Sequence, residues 1–344
     1  MLSNDDSLAK GLTKRFIREN QKSTTKLLNS IQRESAKIKT RKQWDRFIKN
    51  TCKNNSAIIN SYIGGSRRKP YFCISFFDKG TWNPMDEHHA TGGWPEDSLY
   101  ENFIIFQFNG HAPVLRGMVK YIISHHAVQR IFQRLRSNNV ESSLWEPAAI
   151  FGEIQHLSLW SSVWCHVLGL LDPFNLNLDY DDLSFPFPGN QGLFIGAQPN
   201  GTAGCFLRTY VGDEKLSETQ LAVRNLLLDA SKDLHNSSFC YSPEIIKNLI
   251  EEHSWLIFQT VLHRISKSLD LICDHITRDC KSNTAKIELY NAMTNIIELH
   301  SDYAPEITSD LLLKHGEKEV LLFWKQHVER QRSERLNSME RGDC

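Results

Sequence analysis

The chain has 344 residues and 40% hydrophobic content, enough for about two domains with sizeable cores, which excludes disorder of the whole chain. Its 40 basic and 40 acidic residues balance, yet residues 1–70 hold 17 Lys and Arg against 5 Asp and Glu, a local net charge of +12. Such a segment is attracted to phosphate backbones or acidic surfaces; a solvated helix, or docking on the acidic remainder of this chain, are the open alternatives.

The sequence also bears on compartment and on metal binding. The longest apolar runs fall far short of the roughly 20 residues that cross a bilayer, and the first residues lack the features of a secretory signal. None of the eight cysteines forms a C-x-x-C pair. Cys273 and Cys280 share a predicted helix with His275, but their spacing sets them about 10 Å apart, which favours packing over metal binding. We expect a cytoplasmic protein with no membrane partner, no metal and no other cofactor.

The first segment of the chain has a helical pattern. Over residues 8–50, apolar residues recur at spacings of three and four among Lys, Arg, Gln and Ser. Gly64-Gly65-Ser66 and the Arg67-Arg68-Lys69-Pro70 cluster end this pattern. We therefore predict a basic helical N-terminal arm of residues 1–68, followed by a core domain of residues 69–215.

The core domain begins where the helical spacing of the apolar residues ends. Segments near residues 71, 103 and 115 are rich in aromatic and β-branched residues and predict strands, with a long polar loop, 78–98, between the first two. Ser124 is a suitable N-cap for a helix of residues 125–136, and a second helical stretch covers 144–171. A Pro-rich loop then leads to strands near residues 192 and 205, which Asn200-Gly201 joins as a hairpin.

The remainder of the chain is helical in pattern. It predicts a helical domain of residues 216–328 and a charged tail of residues 329–344. The expected fold class is α+β: an antiparallel sheet covered by the helix at 125–136, followed by a C-terminal helical bundle and preceded by the basic arm.

The most informative chemistry lies on the helix at 125–136. His126, Arg130 and Arg134 are four residues apart, so their side chains share one face of the helix. Histidine exchanges protons near neutral pH and arginine holds phosphate oxygens in a bidentate fork, so the strip suits a phosphodiester. Metal-free RNA cleavage needs little more, because the ribose 2′-hydroxyl is the nucleophile. Arg and His on an amphipathic helix are also ordinary surface residues, and this alternative stays open.

A strand that runs into a His-Ala-x-x-Arg-x-x-x-Arg helix, followed by a hairpin ending in Thr-Tyr, resembles the metal-independent ribonucleases of the barnase, colicin and RelE-like toxin group. The matching residues lie within 114–215 and are His126, Ala127, Arg130, Arg134, Thr209 and Tyr210. The resemblance implies that His126 is the acid or base, that the two arginines clamp phosphate, and that Thr209 donates a hydrogen bond to the transition state. The chain departs from these compact toxins in two ways: some 70 residues separate the helix from the strand that carries Thr209, and the helical remainder has no counterpart in them.

Further residues are candidates for substrate contact or for metal binding. We expect His125, Tyr210 and Trp94 to contact the substrate, the last by stacking on a base, although packing around the sheet is an alternative role for the tryptophan. Asp86-Glu-His-His89 offers metal ligands, but adjacent loop residues rarely chelate one ion without distant partners. No P-loop lysine supports nucleotide binding.

Two functions follow from these observations. The first is a metal-independent endoribonuclease, toxin- or defence-like, whose partner is RNA. The second is a non-catalytic module that binds RNA or protein, with the C-terminal helices docking a protein partner.

Overall fold

The computed structural model describes residues 2–54, 57–65, 70–82, 96–108, 113–135, 147–171, 182–197, 205–232, 254–282 and 284–301. The helices are α1 (Leu2–Ser35), α2 (Arg41–Asn54), α3 (His125–Leu135), α4 (Pro147–Ile154), α5 (Leu157–Leu171), α6 (Glu218–Ala230), α7 (Ser254–Ser266), α8 (Leu269–Ile276) and α9 (Ala285–Ser301). The strands are β1 (Ile58–Gly65), β2 (Pro70–Trp82), β3 (Glu96–Gln107), β4 (Val114–Ile123), β5 (Phe185–Pro188), β6 (Gly192–Ala197) and β7 (Cys205–Gly212). The mixed α and β class is confirmed.

All of these strands form one sheet in the order β1-β2-β3-β4-β7-β6-β5. Every neighbouring pair is antiparallel except β4 and β7, which run parallel. The prediction of a purely antiparallel sheet is therefore wrong at this one pair. The chain leaves β4 through α3, α4 and α5 before it returns, and a parallel neighbour requires a long crossover of this kind.

The sequence patterns do not predict β1 and β5. β1 lies inside the predicted helical arm and pairs with β2, so the expected boundary near residue 68 falls between two paired strands. β5 lies in the Pro-rich loop, and Pro186 and Pro188 fit there because β5 is an edge strand, where one side carries no ladder of hydrogen bonds. The predicted loop at 78–98 is also shorter than expected, because its ends belong to β2 and β3.

Two hydrophobic clusters hold the sheet and the helices together. The smaller cluster packs α2 and the second half of α1 on β2 and β3, with Leu27, Trp44 and Phe72 among its members. The larger cluster joins the first half of α1, through Phe16, to α3, α4, α5 and the C-terminal helices. Helix α1 therefore contributes its apolar face to both clusters, and its basic residues stay at the surface.

Several predicted features lie outside the described residues. These are Trp94, the Asp86–His89 segment, the Asn200-Gly201 turn and residues 302–344. In the described ranges, no helix has the length and apolar character needed to cross a bilayer.

Candidate functional site

Helix α3 is fixed to strand β7 at its first turn. The Ser124 hydroxyl accepts a hydrogen bond from the Ala127 N–H at 2.9 Å and donates one to the Arg208 carbonyl at 2.8 Å. The Ser124 N–H also donates to the Leu207 carbonyl at 3.1 Å. The predicted N-cap is therefore confirmed, and the same side chain ties the start of α3 to β7.

The other end of α3 also lies against β7. Arg134 Nη1 is 3.0 Å from Glu214 Oε1, and the arginine side chain is only 17% exposed. A Cβ atom placed on Gly212 would lie 3.0 Å from Arg134 Cγ, so the helix packs closely on the end of the strand. Contacts at both ends show that α3 and β7 run side by side in the same direction. Arg134 is thus turned towards a carboxylate, and its role as a phosphate clamp stays a prediction.

His126 and Arg130 are together on the solvent side of α3. Arg130 Nε donates to His126 Nε2 at 3.4 Å, and Arg130 Nη1 donates to Gln133 Oε1 at 3.1 Å. A ring nitrogen that accepts a hydrogen bond carries no proton. Partial burial and the Arg130 charge lower the pKa of His126, and Asp6 opposes them. This imidazole is therefore neutral at physiological pH and can accept a proton.

The N-terminal part of α1 lies along α3. Asp6 Oδ1 accepts hydrogen bonds from Gln129 Nε2 and Gln133 Nε2, both at 2.6 Å. Partial burial and then the charge of Lys14 lower the pKa of His125, with Asp97 acting in the opposite direction. The pKa values of both histidines at the helix start are therefore lowered, that of His125 in part by cations of α1. No sequence pattern points to this contact, because it depends on tertiary packing.

Thr209 and Tyr210 point to opposite faces of β7. The Tyr210 side chain is 2% exposed; its hydroxyl donates to Glu153 Oε2 at 2.8 Å and its ring meets Phe194 edge-on. Burial raises the pKa of Glu153, which also accepts from the Gln191 N–H. Because successive strand residues alternate, the half-buried Thr209 points away from this core, and its role as a hydrogen-bond donor to the transition state stays a prediction. In this conformation Tyr210 holds the hairpin on α4 and is not open to a substrate.

A buried charged cluster lies between β3, β4 and α5. Lys120 Nζ donates to Ser158 Oγ at 2.7 Å, lies 3.6 Å from Glu101 Oε1 and sits 4.8 Å from the centre of the Phe103 ring. Both charged side chains are about 5% exposed or less. The ladder is irregular next to Glu101, where Tyr121 pairs with it and Lys120 is the extra residue of a bulge. Because Lys120 is buried and already paired with Glu101, we interpret this cluster as structural.

Neither a cluster of metal ligands among the described residues nor a similarity to a known protein indicates a function. Across the ranges listed above, no three His, Cys, Asp or Glu residues lie close enough to hold a metal ion. No protein-family profile, curated protein or solved structure matches this chain.

Proposed function

We propose that this protein is a metal-independent endoribonuclease of the cytoplasm, toxin- or defence-like, in which the exposed face of α3 meets the phosphodiester. The observation that carries this proposal is the hydrogen bond between Arg130 and the unprotonated Nε2 of His126. These two groups supply a base and a cation, and Thr209 is the predicted hydroxyl donor; 2′-hydroxyl attack uses groups of these three kinds.

In the proposed reaction, the Arg130 Nε–H moves from His126 Nε2 to a phosphate oxygen, the freed lone pair of Nε2 removes the proton of the ribose 2′-hydroxyl, and the 2′-oxygen attacks phosphorus. The bond from phosphorus to the 5′-oxygen breaks, a cyclic phosphate forms, and solvent supplies a proton to the leaving oxygen. Arg130 can stabilise the added charge on the phosphate because a guanidinium has five N–H donors, of which the described residues accept two. Thr209 donates a hydrogen bond to a phosphate oxygen.

The test is cleavage of bulk RNA and of tRNA by the purified chain with a chelator present. A general base contributes about 10²–10⁴ in rate, so His126→Ala should lower the cleavage rate by about that factor. Arg130→Gln should lower it by about 10²–10³, as expected for the loss of one donor to developing charge. His263→Ala, which changes an exposed histidine of α7, should cleave like the wild type and is the matched control.

Melting temperatures of the variants separate chemistry from folding. His126 lies on the surface, so His126→Ala should melt like the wild type. Wild-type cleavage that persists in His126→Ala would contradict the assignment of the base.

The second candidate is a non-catalytic module that binds RNA or protein. Two observations favour it: the pairing of Arg134 with Glu214 removes one cation from the predicted strip, and α9 exposes Ile287 and Tyr290 three residues apart. A wild-type chain that binds RNA or a protein through these residues without cleaving any RNA would support this function.

A further inference from the structure

The solvent face of α1 carries a row of cations, Lys14, Arg18, Lys22 and Lys26, here named the α1 stripe. All four side chains are exposed and follow one another at intervals of four residues. The buried residues of α1 occupy the opposite side of the helix. Lys10 and Arg33 extend the row, so that it covers about 35 Å at 1.5 Å per residue.

The cations of the α1 stripe repel one another. Like charges four residues apart destabilise a helix. Within the described part of the chain, none of the four stripe side chains forms an ion pair with a carboxylate. The nearby carboxylates Asp6 and Glu19 pair instead with Lys10 and Arg15. These four cations without a carboxylate partner match the regular negative charge of a nucleic-acid backbone.

The α1 stripe begins at the proposed site. Lys14 follows Asp6 by eight residues on α1, and its charge lowers the pKa of His125. The hydrogen bonds of Asp6 to Gln129 and Gln133 hold this end of α1 against α3. An RNA strand whose phosphate lies at His126 can therefore continue along α1 over further phosphates.

We infer that the α1 stripe binds the backbone of the RNA that continues from the cleaved position. This inference rests on the proposed function and specifies its substrate class. At about 3.4 Å per nucleotide of a stacked strand, the row of about 35 Å corresponds to about ten nucleotides. The substrate is therefore an RNA of at least about that length, and a di- or trinucleotide leaves most of the row empty.

Binding can be measured apart from cleavage with 2′-O-methyl RNA, because this polymer lacks the nucleophile. The stripe variant is Lys14→Gln/Arg18→Gln/Lys22→Gln/Lys26→Gln in the full chain. The control variant removes four exposed lysines elsewhere: Lys215→Gln/Lys232→Gln/Lys267→Gln/Lys281→Gln. Affinities are taken from fluorescence anisotropy over a series of salt concentrations, and circular dichroism checks that both variants are helical.

Each single-strand phosphate contact contributes about 0.7 to the slope of log affinity against log salt, so the stripe variant should lose about 3 from that slope. At 0.1 M salt its affinity should fall on the order of a hundredfold, while the control variant keeps the wild-type slope. Wild-type affinity should rise with RNA length up to about ten nucleotides and then level off.

Two outcomes would overturn the inference. One is a stripe variant with the wild-type salt slope, and the other is polyglutamate binding to the wild type as tightly as RNA of equal charge, which would indicate an acidic protein partner. Cleavage of a dinucleoside phosphate separates the two proposals. If His126 is needed for that cleavage but the α1 stripe is not needed for RNA binding, the proposed function stands and this inference fails. If RNA binds through the stripe and no cleavage occurs, this inference stands and the proposed function fails.

Discussion

Ser124 joins the start of α3 to β7, and its replacement by alanine tests how the site is positioned. The substitution removes the cap of the Ala127 N–H and the hydrogen bond to the Arg208 carbonyl, at a side chain that is 2% exposed. Loss of a serine N-cap costs about 1 kcal/mol and loss of a second buried hydrogen bond costs about another 1 kcal/mol. We therefore expect Ser124→Ala to lower the free energy of unfolding by about 2 kcal/mol.

Ser217 provides the matched control because it caps α6 in an exposed position. Its hydroxyl accepts from the Gln220 N–H at 3.2 Å, within a capping box, and among the described residues it bonds to no other element. Ser217→Ala should therefore cost about 1 kcal/mol, or half as much. Urea unfolding followed by circular dichroism measures both variants. Equal losses for Ser124→Ala and Ser217→Ala would refute the idea that the bond to Arg208 contributes to stability.

The same pair of variants reports on the proposed activity. Ser124 fixes the start of α3, and with it His126, to β7, so loosening that contact should slow the proposed RNA cleavage. We expect Ser124→Ala to lower the cleavage rate under conditions where the variant is fully folded, and Ser217→Ala to leave it unchanged. Ser124→Thr keeps the hydroxyl and should restore most of the stability and of the rate.

Two further predictions concern buried titratable residues elsewhere in the fold. Burial lowers the pKa of His275 to about 4 from 6.5, so the unfolded chain binds a proton in this window while the folded chain does not, and stability is lost as pH falls from 6.5 to about 4. The free energy of unfolding falls by about 3 kcal/mol over this range. His275→Leu should therefore flatten the pH dependence of the urea midpoint. His263→Leu, at an exposed position, is the control and should give a pH dependence parallel to that of the wild type. Glu101→Gln leaves the buried charge of Lys120 without its carboxylate and should cost about 3–5 kcal/mol, whereas Glu101→Leu/Lys120→Met should cost much less in the same unfolding assay. A double variant as unstable as the single one would mean that the attraction between the two charges is itself the main contribution.

Features that depend on neighbouring residues were predictable from the sequence. Helix α3 could be placed to within one residue because Ser124 is a capping residue and the apolar positions that follow have a helical period. The same local geometry explains why the spacing of four correctly set His126 and Arg130 on one face of the helix. The strands β6 and β7 were likewise predicted close to their observed bounds.

Features that depend on distant residues were not predictable. The parallel pairing of β4 with β7 joins residues that are more than 80 positions apart, and nothing in either strand specifies that partner. The prolines of β5 argued against a strand in the sequence. A strand tolerates proline at the edge of a sheet, and the edge position of β5 is known only from the fold. The pairing of Arg134 with Glu214 also arises from tertiary contact, and it changes what the helix face offers to a substrate.

The parallel seam between β4 and β7 bears on when the proposed activity could begin. Among the described residues, Tyr121, Ile122 and Ile123 pair with β7 along the seam, and the proposed groups His126 and Thr209 come from opposite sides of it. In the proposed ribonuclease, a nascent chain that has left the ribosome only as far as α3 would hold the base but lack Thr209, and both would belong to one folded unit only after late, long-range strand pairing. Synthesis would then delay the proposed RNA cleavage until β7 has emerged.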